Sequence, residues 1–277
     1  MSRIFSRLII VGTGLLGSSL GLAAKQRNLA EVVIGIGHRR ETLEIAKRCG
    51  AVDRILTELD DLAGINDGLA IMCTPVRVIT EYAVRIAALN GNILQSDVGS
   101  TKGSICRELE RRRCRFVGAH PIAGSEKSGP AYGNADLFQD RLTILTPTAL
   151  NCSEDVERLR IFWESLGSRV VSMEPEQHDA ILAKTSHLPH AVAAALASLL
   201  DVADRPFCGT GFADTTRIAA GSPMVWTDIF LDNRLPLLTI LEEFGSRLEI
   251  LKNALREGDH VTTRQFLESA QEKIKSK

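Results

Sequence analysis

Three glycines stand at the spacing of a turn that binds the phosphates of a dinucleotide. Gly12, Gly14 and Gly17 follow a continuous apolar run at residues 8–11 and precede a stretch of helical character at residues 18–25. In such a turn the first glycine allows the tight bend, the second lets the backbone approach a pyrophosphate, and the third lets the helix pack against the strand. The helix N-terminus would add free N–H groups and a partial positive charge. A glycine-rich turn without a ligand is the alternative, but the flanking strand and helix favour a nucleotide site.

The residues about 20 positions after this turn indicate which dinucleotide is bound. An enzyme that uses NAD usually carries a carboxylate there, but this chain has Gly37, His38, Arg39 and Arg40. Guanidinium groups bind phosphate through charge-assisted, bidentate hydrogen bonds, so we expect NADP, with NAD as a weaker cofactor. The two arginines could instead only solvate the start of a helix. The residues expected to contact the cofactor are Gly12, Gly14, Leu15, Leu16, Gly17, His38, Arg39, Arg40, Thr74, Pro75 and Ser100.

Other polar side chains are concentrated directly after predicted strands. Three such segments, at residues 73–76, 97–102 and 118–129, include Ser100 and His120. Parallel sheets bind ligands at the carboxyl ends of their strands, so these segments should lie at one edge. The C-terminal part of the chain adds polar segments at residues 177–179, 186–190, 214–217 and 222–226.

The elements that must position these residues alternate between strand and helix up to about residue 173. Runs of strand length lie at residues 32–36, 69–73, 92–96, 115–118, 142–145 and 169–171, and helical segments at 40–49, 78–89, 102–113 and 153–166. This alternation predicts an α/β fold with a doubly wound, parallel Rossmann-type sheet. Beyond Pro175 helical periodicity dominates. We therefore expect residues 1–173 to form the nucleotide-binding domain and residues 174–277 an all-helical domain for substrate binding and dimerisation.

Composition narrows the classes of partner. The 277 residues include 33 Lys plus Arg and 34 Asp plus Glu, a formal charge of -1, so no global field recruits nucleic acid or a membrane surface. The longest apolar run, at residues 191–200, is about half of what would span a bilayer. The N-terminus shows no secretory signal pattern. We expect a cytoplasmic protein that acts on a small molecule.

The six cysteines are scattered and form no CxxC pair, which gives no indication of a zinc knuckle or a redox motif. We expect reduced, mostly buried thiols and no bound metal.

The ordered set of these motifs resembles the prephenate/arogenate dehydrogenase family of tyrosine biosynthesis. The resemblance runs from the glycine turn to about Asn233 and rests on residues 12–17, 97–102, 120–129, 186–190 and 214–217. It implies that a dihydroaromatic ring with a 4-hydroxyl group and a ring carboxylate is oxidised at C4 and loses CO₂. The product would be 4-hydroxyphenylpyruvate from prephenate or tyrosine from arogenate.

The resemblance also implies roles for single residues. His120 matches the family's catalytic histidine, which takes the proton of the 4-hydroxyl group, as an imidazole near its ordinary pKa can do. Ser100 matches a serine that binds the same hydroxyl group. Arg217 is similar to the family's carboxylate clamp. The residues implied to bind substrate are Ser186, His187, His190, Arg217 and Glu126.

Several alternatives remain open at this point. His187 and His190 could be a buried structural pair or, less in keeping with known motifs, a metal pair. Glu126 could pair with Lys127 instead of facing the substrate, and His178 has a structural role by default. A β-hydroxyacid-type dehydrogenase would use a lysine base, for which Lys184 is the candidate. A regulator that binds NADP without catalysis is the alternative from another class.

The helical domain also predicts a homodimer. Leu235, Leu238, Leu241 and Leu248 give it more apolar surface than the nucleotide domain can cover.

Overall fold

The computed structural model describes residues 3–125 and 127–275, and its first half is built on a parallel five-stranded sheet. The strand order is β3-β2-β1-β4-β5. The crevice beside the central strand, where this order reverses, is where such sheets bind ligands. The strands are β1 (Phe5–Val11), β2 (Ala30–Ile36), β3 (Arg54–Leu56), β4 (Leu69–Met72) and β5 (Leu94–Asp97).

Helices cover both faces of this sheet. They are α1 (Leu15–Gln26), α2 (Arg40–Arg48), α3 (Val76–Leu89), α4 (Gly103–Arg111) and α5 (Ser153–Ser165). In β1, Leu8 and Ile10 belong to the hydrophobic core under α1 and α5, whereas Ile9 and Val11 belong to the core under α3 and α4. Successive strand residues face opposite sides, so a sheet covered on both sides needs apolar residues at every position. This explains the continuous apolar run in the sequence and confirms the predicted α/β sheet.

Three further strands form a second sheet next to β5, which corrects the prediction of one continuous parallel sheet. β6 (Gly118–Pro121), β7 (Leu142–Thr146) and β8 (Arg169–Ser172) are adjacent, and β6 runs antiparallel to β7. Residues 115–117 are hydrogen-bonded to β5 through Gln95, whose N–H donates to the carbonyl of Arg115 at 2.9 Å. The strand itself begins at Gly118, so His120 lies within a strand and not in the loop after it. Glycine and proline are weak strand formers, which is why the pattern misplaced this strand.

The remaining described residues, 174–275, contain helices and turns and no strand, which confirms the predicted helical part. The proposed domain boundary at 173–174 falls in the link between β8 and α6. None of the described helices is long and apolar enough to cross a membrane. The helices are α6 (Pro175–Leu182), α7 (Leu188–Ser198), α8 (Thr210–Thr216), α9 (Pro223–Asp232), α10 (Arg234–Glu257) and α11 (His260–Lys275).

The cysteines are free, but the expectation that most are buried is wrong. Only Cys106 is buried, and Cys49, Cys152 and Cys208 are exposed.

Candidate active site

A cavity of about 400 Å³ lies at the carboxyl ends of β1, β2 and β4, where the glycine turn was expected to bind a nucleotide. Gly12 has a φ of +95°, and a side chain there would also meet the carbonyl oxygen of Cys73. No atom lies within 4 Å of the position that a Cβ on Gly14 would take, so this part of the turn is open to a ligand. A Cβ on Gly17 would overlap the carbonyl oxygen of Gly12, which explains the close packing of α1.

The other predicted cofactor residues divide into two groups. His38, Arg39, Thr74 and Pro75 line this cavity together with Gly12 and Gly14, and the buried Oγ1 atom of Thr74 has no hydrogen-bond partner among the described residues. No aspartate or glutamate is among the described residues that line it. The predicted residues that do not line it are Leu15, Leu16, Gly17, Arg40 and Ser100.

Arg40 differs from Arg39 because it is already the first residue of α2. Its side chain is 79% exposed and its Nε lies 3.7 Å from the Glu44 carboxylate, one helical turn further on. Only one of the two arginines therefore reaches the nucleotide cavity.

A second cavity, of about 670 Å³, lies where the sheet meets the helical part of the chain. It brings together four predicted site residues, Ser100, His120, Ser186 and His187. His190 and Arg217 do not line it, and Glu126 lies outside the described residues. Most of the wall is apolar and comes from Ile122, Ala123, Leu142, Ile144, Ile181, Leu182, Val225, Trp226 and Ile229.

Ser186 and His187 reach this cavity from a π-helical turn, Ala183–His187, between α6 and α7. Such turns are rare and occur often at functional sites, because the extra residue changes the direction of the side chains that follow. Lys184 lies in the same turn, but it is exposed and does not line the cavity. Among the described residues that line this cavity there is no lysine that could act as a base.

The loop that carries Ser100 is held by a buried ion pair. The Nζ of Lys102 contacts Oδ2 of Asp97, and both side chains are fully buried. Oδ2 of Asp97 also accepts the N–H of Gly99 at 2.9 Å, and Oδ1 accepts the N–H of Ala119 at 3.0 Å. A buried charge is stable only when it is paired and hydrogen-bonded, so this carboxylate fixes the Ser100 loop against β6, next to His120.

His120 is joined to two residues for which sequence analysis predicted no chemical role. Its Nδ1 lies 2.9 Å from Nε2 of His178, and Nδ1 of His178 lies 2.8 Å from Oδ1 of Asp179. A carboxylate only accepts, so a neutral His178 carries its proton on Nδ1 and accepts at Nε2. His120 must then donate from Nδ1, which leaves the lone pair on its Nε2. The chain Asp179–His178–His120 therefore defines the tautomer of His120.

Burial lowers the pKa of His120 well below its ordinary value, and electrostatic interactions with His178, Lys102 and His187 lower it further. This corrects the expectation of a nearly unperturbed imidazole. At neutral pH the ring is uncharged, which keeps it in the form that accepts a proton.

Asp179 connects the hydrogen-bonded series Asp179–His178–His120 to α4, in the part of the protein that contains the parallel sheet, called here the nucleotide half. Its two carboxylate oxygens accept the backbone N–H groups of Lys102 and Gly103, each at 2.8 Å, at the start of α4. Burial alone would raise the pKa of Asp179, but hydrogen bonds from His178 and from these N–H groups outweigh it and lower the pKa. The residue therefore stays ionised at the positive end of a helix.

His187 is held by a residue that sequence analysis did not single out. The side-chain amide nitrogen of Asn233 lies 3.0 Å from Nδ1 of His187 and donates to the backbone carbonyl of Asp179 at 2.8 Å. Burial lowers the pKa of His187 to about 4, with an opposing effect of Asp179 and a lowering by His178 and His190. No pattern in the sequence marks Asn233, because its partners lie far away along the chain.

The structure does not bring His190 and Arg217 to the wall of the second cavity. The ring of His190 stacks on Trp226, with centroids 3.6 Å apart and an angle of 11° between the planes, so it supports the cavity wall from behind Trp226. Arg217 is exposed, at the start of a 3₁₀ turn, Arg217–Ala220, that packs on α7. No group of three or more potential metal ligands occurs among the described residues.

Comparison with known proteins gives one consistent family. The family model for the nucleotide-binding domain of prephenate dehydrogenase matches residues 20–172, and the model for its dimerization domain matches residues 174–269. A cyclohexadienyl dehydrogenase of Zymomonas mobilis is 33% identical, over 93% of this chain and 92% of the relative. A prephenate dehydrogenase of Bacillus subtilis is 30% identical, over 98% of this chain and 76% of the relative.

Two solved structures are similar over nearly their whole length. The Aquifex aeolicus prephenate dehydrogenase, in complex with hydroxyphenyl propionate and NAD+, has a TM-score of 0.91 and 31% identity, and the match covers 100% of this chain and 99% of that one. The Synechocystis arogenate dehydrogenase has a TM-score of 0.84 and 26% identity, with 98% and 99% coverage. The resemblance of the sequence motifs to this family is thereby confirmed.

The role of Asp179 can be tested by the stability of two aspartate variants. Asp179→Ala leaves two N–H groups of α4 and one nitrogen of His178 without a partner, so we expect the free energy of unfolding to fall by about 3 kcal/mol. The control is Asp232→Ala. Asp232 is exposed, and among the described residues its carboxylate accepts a hydrogen bond only from the Ser104 hydroxyl group on α4. Its loss should be much smaller. Urea denaturation at pH 7 measures both, and equal losses would contradict the assignment.

The pH dependence of this difference has a defined sign. The pKa of Asp179 is lower in the folded protein, so its contribution is complete above the ordinary carboxyl pKa of 3.8 and disappears as the pH falls through the lowered value.

Proposed function

Because the chain belongs to the prephenate dehydrogenase family, we propose that it oxidises prephenate, arogenate or both, with loss of CO₂, in tyrosine biosynthesis. The observation that carries this proposal is the presence of two cavities with complementary features. One has the features of a dinucleotide site, and the other contains a buried, neutral His120 whose Nε2 has the free lone pair. This is the arrangement that an alcohol oxidation requires, since a proton and a hydride must leave the same C–OH group.

The nucleotide cavity fits a nicotinamide dinucleotide. The open space at Gly14, the unpaired Oγ1 of Thr74 and the N-terminus of α1 provide groups for a phosphate and a ribose. When bound, the nicotinamide ring supplies the hydride acceptor.

The residues of the second cavity accept and return the proton of the 4-hydroxyl group. As the C4–H bond breaks, Nε2 of His120 accepts the proton of the 4-hydroxyl group, and Ser100 holds the same oxygen. The positive charge that forms on His120 is unfavourable next to Lys102, and Asp179 offsets it through His178. Loss of CO₂ from C1, the ring carbon that carries the carboxylate, then places a pair of electrons in the ring, which becomes aromatic. The phenolate oxygen takes the proton back from His120. Protons and electrons balance, with one hydride and one CO₂ released.

Anionic groups of the substrate also need partners in the cavity. Ser186 and His187 line it, and we propose that both bind the substituents on C1, with His190 supporting the wall. No lysine or arginine is among the described residues that line the cavity. Arg217 is the proposed carboxylate clamp, because its turn leads to Gly221, which packs against Trp226 and His190. We also propose that Glu126 contacts the substrate, as the family resemblance implies.

The catalytic assignment predicts that two variants fail in different ways. His120→Asn keeps a polar side chain but removes the base, so kcat should fall by roughly 10²–10⁴ with little change in KM. Arg217→Ala removes a partner of a carboxylate that is charged in the ground state too, so it should mainly raise KM. Absorbance of the reduced cofactor measures both. A His120→Asn enzyme with near-normal kcat on prephenate and arogenate would refute the assignment.

We propose NADP as the preferred cofactor. Gly37 removes the carboxylate that binds the ribose of NAD, and Arg39 lines the cavity. A charge-assisted bond to the 2′-phosphate should give NADP at least about a tenfold higher kcat/KM than NAD. Arg39→Ala should abolish this preference. Arg40→Ala is the matched control and should retain it, since Arg40 pairs with Glu44. Equal or better kcat/KM with NAD in the unmodified enzyme would contradict the proposal.

We further propose a homodimer through the helical domain. Leu235 and Leu238 on α10 are 67% and 52% exposed, and Phe207 is 86% exposed, which is unusual for large apolar side chains on a free surface. Light scattering at micromolar concentration should give twice the chain mass of 30.2 kDa. A mass of one chain would rule the dimer out.

A further inference from the structure

The orientation of the Asn233 amide group is fixed by its surroundings. The side chain is buried, with 1% exposure, at the junction of α9 and α10. Its Nδ2 lies 2.8 Å from the backbone carbonyl oxygen of Asp179. A carbonyl oxygen only accepts hydrogen bonds, so this atom must be the NH₂ group and not the amide oxygen.

The same NH₂ group determines the tautomer of His187. It lies 3.0 Å from Nδ1 of His187 and can only donate, so Nδ1 must accept. A neutral imidazole with an accepting Nδ1 carries its proton on Nε2. The low pKa of His187, about 4, agrees with a neutral ring at pH 7.

The Nε2–H group of His187 has no partner among the described residues. This nitrogen is buried, although the His187 ring lines the catalytic cavity. A buried N–H group without an acceptor is destabilising, so a bound molecule that offers an oxygen there gains affinity. His120 presents an acceptor to the same cavity and His187 presents a donor.

We propose that Asn233 holds His187 as an N–H donor to the side chain of the substrate, and that this donor selects the keto group of prephenate over the ammonium group of arogenate. The inference rests on the proposed function. A keto oxygen accepts the hydrogen bond, whereas an ammonium group has only N–H donors and would face another donor. Asn233 is thus a positioning residue for specificity.

The first test is the ratio of kcat/KM for prephenate to kcat/KM for arogenate. We expect a ratio of at least about ten, constant between about pH 6 and 8.5, because the pKa of His187, about 4, lies below this range and Asn233 keeps the proton of the neutral ring on Nε2. The titratable groups near His187 are Asp179 and His178 on α6, His190 on α7 and His120 on β6. A ratio of one or less would overturn the inference. Oxidation of neither substrate would instead overturn the proposed function.

The second test reverses the polarity of the group that faces Nδ1. In Asn233→Asp a carboxylate would accept a proton from Nδ1 and raise the pKa of His187. Below that pKa the charged ring still donates from Nε2, and the ratio should match that of the unmodified enzyme. Above it the neutral ring carries its proton on Nδ1, Nε2 becomes an acceptor, and the ratio should fall about tenfold as the pH rises. Any effect of Asn233→Asp on His120 cancels in this ratio, since both substrates need the same base.

A pair of His187 variants covers the case in which Asn233→Asp does not fold. His187→Gln can place an amide N–H near the position of Nε2 and should retain the preference for prephenate, whereas His187→Leu should lose it. Thermal unfolding of each variant verifies that the protein is folded. A ratio that is the same in the unmodified enzyme, in Asn233→Asp at every pH and in both His187 variants would show that neither residue sets the specificity.

Discussion

The carboxylate of Asp179, at the N-terminus of α4, is the contact on which the geometry of the site depends. It accepts two N–H groups from the first turn of a helix in the nucleotide half, and it belongs to α6 of the helical half. The helix dipole and the hydrogen bonds favour its charged form, so a buried anion is stable there. The side chain of Asp179 contacts His178, which contacts His120, and its backbone carbonyl accepts from Asn233, which contacts His187. Asp179 therefore orients both His120 and His187.

This arrangement gives two histidines opposite functions in one cavity. Both rings are buried, and burial is the main cause of their lowered pKa values. Neutral imidazoles have one donor and one acceptor, and the partner of Nδ1 decides which of the two faces the substrate. For His120 that partner accepts, through His178, and for His187 it donates, from Asn233. In the proposed mechanism, identical side chains thereby act as a base and as a hydrogen-bond donor in one cavity.

The two halves contribute different kinds of support. In the nucleotide half the buried pair of Asp97 and Lys102 and the packing of β6 against β7 hold Ser100 and His120 on a rigid sheet. In the helical half the π turn supplies Ser186 and His187, and the stacked rings of His190 and Trp226 close the wall. Arg217 is exposed, on a turn that does not line the cavity.

The sequence by itself determined the parts of this protein that depend on local patterns. Glycine spacing, apolar runs and their alternation with helical segments predicted the sheet, the nucleotide turn and the helical second half, because these follow from backbone freedom and residue periodicity within short stretches. Family resemblance placed Ser100, His120, Ser186 and His187, and the structure brings these four to one cavity.

Only the tertiary structure decided which groups surround them. His178 contacts His120 across 58 positions of the chain, Asp179 contacts Lys102 across 77, and Asn233 contacts His187 across 46. The shift of β6, the different directions of Arg39 and Arg40, and the exposure of Arg217 likewise arise from packing between distant elements. A hydrogen bond depends on the distance and angle between two atoms, and only the folded chain sets these for residues so far apart in sequence.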